Sequence, residues 1–316
     1  MAAPDEPPPP PPPDWLELPP EITTTIFLKL GAVEILTTAQ LVCTAWRALC
    51  LDPTMWQTID MRNDGEPPYD DLADMYRRAV DRSRGGCLDL NIEYFGDDEL
   101  LQYAADGCNH IRRLQLVYCS NISDEGLCEA ASKLPMLKVL ELSYCSFSKE
   151  AIETVGQCCP LLKSFKLNSR VYRCPHIECD DEAQAIAKNM HGLHHLQLFG
   201  NKMTNEGLKA ILDSCPHLEY LDLRQCFNVY MGGDLGRRCT EQIKDLRNPY
   251  DPTDDYEFDS AILDDEYECD SAILDDESFD DDYPSGFSDI DLSDDDNYDE
   301  FSDYDDFFAY WFDEDQ

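Results

Sequence analysis

Five segments of the chain share one template: Ile111-x-x-Leu114-x-Leu116, Leu137-x-x-Leu140-x-Leu142, Leu162-x-x-Phe165-x-Leu167, Leu193-x-x-Leu196-x-Leu198 and Leu218-x-x-Leu221-x-Leu223. Their starts are 26, 25, 31 and 25 residues apart, and Leu88-x-Leu90 reads as a weaker first copy 26 residues before Leu114-x-Leu116. A unit this short cannot bury its own apolar face, so neighbouring units must stack on one another. The alternating leucines give each unit a strand with one face turned inward. A second apolar set, Ile122 to Leu127 and Met203 to Leu208 with Ile211, supplies a helical return limb. Three residues past the last Leu stand Cys119, Cys145, Asn201 and Cys226, at a turn where a small polar or thiol side chain satisfies backbone amides. The expected fold is α/β: a parallel, curved sheet over 85–247, closed by a cap at Val229 to Leu246 because an array needs its last apolar edge covered. Residues 61–84 form a linker, helical from Asp71 to Arg82.

This pattern resembles the leucine-rich repeat, and within it the cysteine-containing subfamily in which C-P-x-L opens a unit, as Cys159-Pro160-Leu161-Leu162 and Cys215-Pro216-His217-Leu218 do. Repeat three departs from the pattern, with Arg170 at the Cys/Asn position and a longer excursion, SRVYRCPHIECDDE, before its helix.

Residues 14–60 follow another rule. Leu18, Ile22, Ile26 and Leu30 recur every fourth position and predict a first helix, with Pro19 and Pro20 in its first turn and Gly31 at its end. Leu41, Val42, Ala45, Trp46 and Leu49 predict another helix, stopped by Asp52-Pro53 before Trp56. Three short helices cannot enclose two tryptophans and a dozen aliphatics unaided, so part of that surface is meant for a neighbour. The succession LPPEI, IFLKL, LVCTAWRAL and DPTMW is similar to an F-box, and the GAVEIL insert resembles the plant-type, Skp-interacting-partner-like members. The resemblance implies docking on a Skp-type adaptor and, through it, the cullin and RING subunits of a ubiquitin ligase. The candidate adaptor contacts are Leu18, Pro19, Ile22, Ile26, Leu30, Val42, Trp46 and Trp56, with Leu18 and Pro19 the most direct and Trp46 supporting the core.

In the repeats, side chains between the inward leucines line the concave face. That row holds Arg113, Gln115 and Val117; Val139, Glu141 and Ser143; Ser164, Lys166 and Asn168; His195, Gln197 and Phe199; and Tyr220, Asp222 and Arg224. Mixed cationic, anionic and aromatic groups suit a protein substrate, as yet unidentified, better than a polyanion.

The net charge of −42 supports that exclusion: nucleic acid and anionic membrane surfaces are poor partners for a chain of this sign. Residues 248–316 hold 29 acidic residues and no Lys or Arg, whereas residues 1–247 set 24 basic against 37 acidic and carry only −13. The tail, with its tandem YEFDSAILDDE and YECDSAILDDE, is expected to be disordered. Its Phe307, Phe308, Tyr310, Trp311 and Phe312 among aspartates could dock on a basic partner, and Ser278, Ser288, Ser293 and Ser302 suit acidophilic kinases. Residues 1–13, ending in Pro7 to Pro13, read as an extended spacer. The mean hydropathy is −0.47 and no apolar run is long enough to span a bilayer, which leads us to expect a cytoplasmic or nuclear protein with reduced thiols packed as small hydrophobes.

No nucleotide-binding loop, zinc-protease motif or nucleophile elbow occurs. We therefore expect no catalytic residue, cofactor or metal, the one loose ligand spacing being Cys174-Pro-His176-Ile-Glu-Cys179 with His191, His194 or His195 nearby. Two other readings remain: a scaffold that binds its adaptor without a cullin, and an acidic-tail binder of basic proteins.

Overall fold

The structure, a computed structural model, describes residues 18–63, 68–169 and 177–256. The Pro7 to Pro13 spacer, Arg170, Cys174 and His176 of the long loop, and the tail beyond residue 256 with its aromatic cluster and serines lie outside the described residues.

Helix α1 (Pro20–Phe27) opens with Pro20 just inside its start, where the missing N–H costs nothing. It stops before Leu30, and Gly31, at φ +82°, leads instead into the next helical run. That run comprises α2 (Ala32–Glu34), a π-helical stretch Ile35–Ala39 and α3 (Gln40–Val42). Cys43, in extended conformation, breaks what the sequence pattern read as one helix, and its thiol accepts the Trp46 amide at the start of α4 (Thr44–Cys50). A 3₁₀ turn, Pro53–Trp56, follows, capped by the Asp52 carboxylate on the Thr54 amide.

The sheet begins earlier than the repeat spacing predicted. β1 (Thr58–Met61) already pairs with β2 (Asp89–Glu93), and α5 (Tyr69–Ser83) is the return helix of that first unit, not a linker. The array continues as α6 (Asp98–Gly107), β3 (Arg113–Val117), α7 (Asp124–Lys133), β4 (Val139–Ser143), α8 (Lys149–Cys158), β5 (Ser164–Asn168), α9 (Asp181–Asn189), β6 (His195–Gln197), α10 (Asn205–Ser214), β7 (Tyr220–Asp222), α11 (Gly233–Gln242) and β8 (Asp245–Arg247). The eight strands among the described residues form one parallel sheet in sequence order. The expected closing cap at Val229 to Leu246 is a further helix-strand unit.

One residue of each strand stands in a single register row: Ile59, Leu90, Leu114, Leu140, Phe165, Leu196, Leu221 and Leu246. The first seven are buried, and each contributes about 1.5–3 kcal/mol. This row corrects the first repeat: Leu90 and Ile92, not Leu88 and Leu90, stand beside Leu114 and Leu116. The unit is thus 24 residues long here, and the 26-residue spacing had matched Leu88 to the wrong position.

A polar ladder ties successive helices together. Asp98, the first residue of α6, accepts the amide and hydroxyl of Ser123, which in turn caps α7 through the Gly126 amide. Asp180 treats Thr204 in the same way ahead of α10, and Asp124 accepts the Ser148 amide ahead of α8. The turn thiols differ from expectation in part. Cys119, Cys145 and Cys226 donate to the backbone carbonyls of Ile92, Leu116 and Leu198 in the preceding units, while the Asn201 side-chain Oδ1 accepts the Met203 amide. All thirteen cysteines among the described residues are free thiols.

Candidate functional site: an apolar helical face and a strapped concave sheet

The N-terminal helical segment sorts its apolar residues into two sets. Phe27, Ala32, Ile35, Leu36, Ala39, Met55 and Trp56 are buried, with Trp46 edge-on to Phe27 at 5.0 Å. Ile22, Leu28, Leu30, Leu41, Val42 and Leu51 stand 43–71% exposed. On α1 the buried face is Thr23 and Phe27, so the Leu18, Ile22, Ile26, Leu30 stripe is the outward side: Ile22 and Leu30 are open, Leu18 and Ile26 are half-buried, and Pro19 is exposed.

Trp56 is corrected as a contact residue. It is 1% exposed, its indole N–H donates to the Cys50 carbonyl at 2.9 Å, and the Arg82 guanidinium lies 5.4 Å above its ring. Arg82 also donates to Gln40 at 2.9 Å and reaches the Cys50 carbonyl. Trp56 and Arg82 thereby lock the helical module onto α5 and the start of the sheet. Sequence reasoning missed Leu28 and Leu51 as open positions and placed Leu41 in the stripe of the second helix without naming it as a contact. The signal was Cys43: a helix broken there frees Leu41 and Val42 from the face of α4.

On the sheet, the predicted face divides into three rows by burial. Arg113 is exposed, and Val139, Ser164, His195 and Tyr220 are half-open, so this row is accessible. In the middle row Gln115 and Lys166 keep partial access, whereas Glu141, Gln197 and Asp222 are buried. In the last row Val117, Ser143, Asn168, Phe199 and Arg224 are 0–4% exposed, which corrects their assignment to an open surface. His195 lies flat on Tyr220 at 3.9 Å; burial, with Lys166 nearby, pulls its pKa below the ordinary value. Glu141 pairs with Lys166 at 2.8 Å.

Two features cover the buried end. Tyr94, Tyr118 and Tyr144, each just past a strand and each at positive φ, stack on one another at 5.0 and 4.5 Å. The second feature is the chain's own segment from Asn248 to Tyr256, which the sequence had assigned to a disordered tail. Tyr256 lies face to face with Phe199 at 3.8 Å, and the Tyr144 hydroxyl donates to the Tyr256 hydroxyl at 3.1 Å. Arg224, doubly bonded to Asp222 by its Nε and Nη2, donates Nη1 to the Pro252 carbonyl and to Asp255. Arg247 adds a second ion pair to Asp255 at 2.6 Å. The signal for the tyrosine ladder was present as Tyr118-Cys119 and Tyr144-Cys145, one period apart.

No His, Cys, Asp and Glu cluster suited to a metal ion occurs among the described residues. His194 is stacked on His217, and both His191 and His194 direct Nδ1 at backbone carbonyls.

The structure is a short helical module joined to a parallel repeat sheet, and comparison with known families agrees with that architecture. Residues 15–62 match the F-box-like family, residues 88–181 the family described as FBD-associated F-box protein At5g56370, LRR repeats, and residues 189–212 a leucine-rich repeat family. F-box protein SKIP19 of Arabidopsis thaliana is 48% identical over 93% of this chain and 94% of its own length. F-box/LRR-repeat protein 23 of the same plant is 51% identical over 76% of this chain, a match spanning 54% of that protein. F-box protein SKIP1, also from that plant, is 31% identical over 68% of this chain and 80% of its own. The chain belongs to the F-box/leucine-rich-repeat family.

Proposed function

We propose that this protein is a substrate-receptor subunit of an SCF-type ubiquitin ligase: the F-box binds a Skp-type adaptor, which links it to cullin and RING subunits, and the repeats hold the target protein. The observation that carries the reading is the outward apolar set of the F-box, Ile22, Leu28, Leu30, Leu41, Val42 and Leu51, left open although the inner residues of the same helices join the continuous core of the array. Already about half covered, each such side chain gains roughly half of the 1.5–3 kcal/mol of full burial when a partner covers it, and six together can sustain association after its entropic costs. Leu18 and Pro19 lie at the same open end of α1 and extend this surface. The clamp of Trp56 and Arg82 supports a fixed spacing between adaptor and target, so that target lysines are held at high effective concentration near the transferring enzyme. In this role the chain supplies binding and positioning, and the chemistry of transfer belongs to other subunits.

Titration of a purified Skp-type adaptor into the full chain tests the first half of the reading. Wild type is expected to bind, and Leu41→Asp with Val42→Asp to lose binding while keeping the wild-type circular dichroism. Equal binding by both proteins refutes the surface, and absence of binding by wild type refutes the F-box role.

A further inference from the structure

The segment that covers the concave face is held by specific chemistry and not by bulk contact. Its backbone is pinned at the start, where the Gln225 amide donates to the Pro249 carbonyl at 2.9 Å and the Asn248 amide to Asp251 at 2.7 Å. Its end presents two adjacent side chains to two matched subsites. The Asp255 carboxylate bridges Arg224 and Arg247. The Tyr256 ring lies on Phe199, with the Arg224 guanidinium 5.8 Å from its centre and its hydroxyl bonded to Tyr144.

The receiving side is built in advance. Asp222, wholly buried, fixes the Arg224 fork with bonds of 2.8 and 3.1 Å, so little side-chain entropy is lost when a carboxylate arrives. Phe199 offers a buried aromatic floor, and the ring of Tyr144 is oriented by its stack on Tyr118. A planar ring, a hydroxyl at its far end and a carboxylate one residue earlier satisfy all three. A lysine or an isolated aliphatic side chain satisfies none.

We propose that Tyr144, Phe199, Arg224 and Arg247 form a recognition pocket for an acidic peptide carrying aspartate followed by tyrosine, and that the chain's own Asp255-Tyr256 occupies it in cis. The inference rests on the repeats being the target-binding face. A target bearing the same Asp-Tyr element must displace the strap, so the resident segment sets a threshold for target binding. A tethered competitor of this kind acts at an effective concentration on the order of mM.

The test uses the full chain with Asp255→Ala and Tyr256→Ala, which vacates the carboxylate and ring subsites without touching Tyr144, Phe199, Arg224 or Arg247. The probe is a fluorescent peptide with the sequence of residues 248–256, read by anisotropy. The double variant should bind it saturably, and wild type at least about tenfold more weakly because the strap competes. A peptide with alanine in place of its final tyrosine, the counterpart of Tyr256, and with the counterpart of Tyr250 kept, should not bind, and adding Tyr144→Phe to the double variant should lower affinity several-fold while leaving the sheet intact. Failure of the double variant to bind, equal binding by wild type, or indifference to loss of the peptide's tyrosine would each overturn the pocket. Adaptor titration on the same preparations reports the ligase reading separately: a chain that takes the peptide but no adaptor refutes that reading and leaves the pocket standing.

Discussion

Arg224→Ala provides a quantitative probe of the concave face. The side chain is 5% exposed and that of Asp222 is 0% exposed, with Nη2 to Oδ2 at 2.8 Å. Truncating the arginine leaves the Asp222 carboxylate buried, holding only the backbone amide at position 224 and a 3.4 Å contact from the Tyr220 hydroxyl. Removing one partner of a buried pair costs about 3–5 kcal/mol, and this arrangement belongs at the upper end. Asp222→Ala should cost less, toward about 3 kcal/mol, because Arg224 retains Asp255 and the Pro252 carbonyl. The double substitution removes both charges, so its cost should fall below the sum of the singles by about 2 kcal/mol or more. Urea unfolding followed by circular dichroism measures all four proteins. A cost for Arg224→Ala under about 1 kcal/mol, or additivity within about 0.5 kcal/mol, would refute the view that this pair is a buried, mutually dependent unit.

Further predictions concern the ladder, the strap and the thiols. A methyl group at Gly126 would collide with the Asp98 carboxylate that holds Ser123, so Gly126→Ala should destabilise by about 1 kcal/mol despite alanine's higher helix propensity, read as a lowered urea midpoint. The hydrogen bond from Arg224 holds the Asp255 carboxyl below its ordinary 3.8, so its contribution to strap seating is fully present above that value and fades as pH falls below it. Burial drives the Tyr256 phenol well above its ordinary 10.0, so its contribution is fully present below that value and is lost only as pH rises beyond it. Anisotropy of the peptide with wild type should therefore be flat between about pH 5 and 9. Thiol-reactive labelling mapped by mass spectrometry should modify Cys43, Cys128, Cys158 and Cys179 before Cys50, Cys87, Cys119, Cys159, Cys215, Cys226 and Cys239. Cys108 should join the slow group although its hydrogen bond with Cys87 pulls its pKa down to about 6, because its 1% exposure limits access.

Periodicity made the repeats legible because each Leu row is fixed by stacking, and a side chain with a neighbour above and below leaves a trace in the sequence. It misjudged the first unit because Leu88 and Leu90 mimic the template with the phase shifted by two residues, and only the pairing of Leu90 with Leu114 reveals the shift. In the F-box, apolar spacing located the helices but not their inner sides. An adaptor surface and a core are both apolar, so α1 carried two stripes, and Phe27 with Thr23 took the inner one. Trp56 was misplaced for the same reason: an indole with a carbonyl partner within reach is better buried, and that partner, Cys50, is six residues away. Of the two features that cover the buried end of the concave face, the tyrosine ladder left a trace in the sequence and the strap left none. It depends on Tyr256 meeting Tyr144, 112 positions earlier, inside a segment whose composition otherwise signals only repulsion.

The most direct test of the account is co-purification from plant extract, with the tagged full chain beside its Leu41→Asp, Val42→Asp variant, probed for both the Skp-type adaptor and cullin. The account predicts that wild type brings down both, and that the variant, folded and with its peptide pocket unchanged, brings down neither. Capture of adaptor without cullin by wild type would contradict the ligase role and favour a scaffold, and undiminished capture by the variant would contradict the outward apolar face as the docking surface.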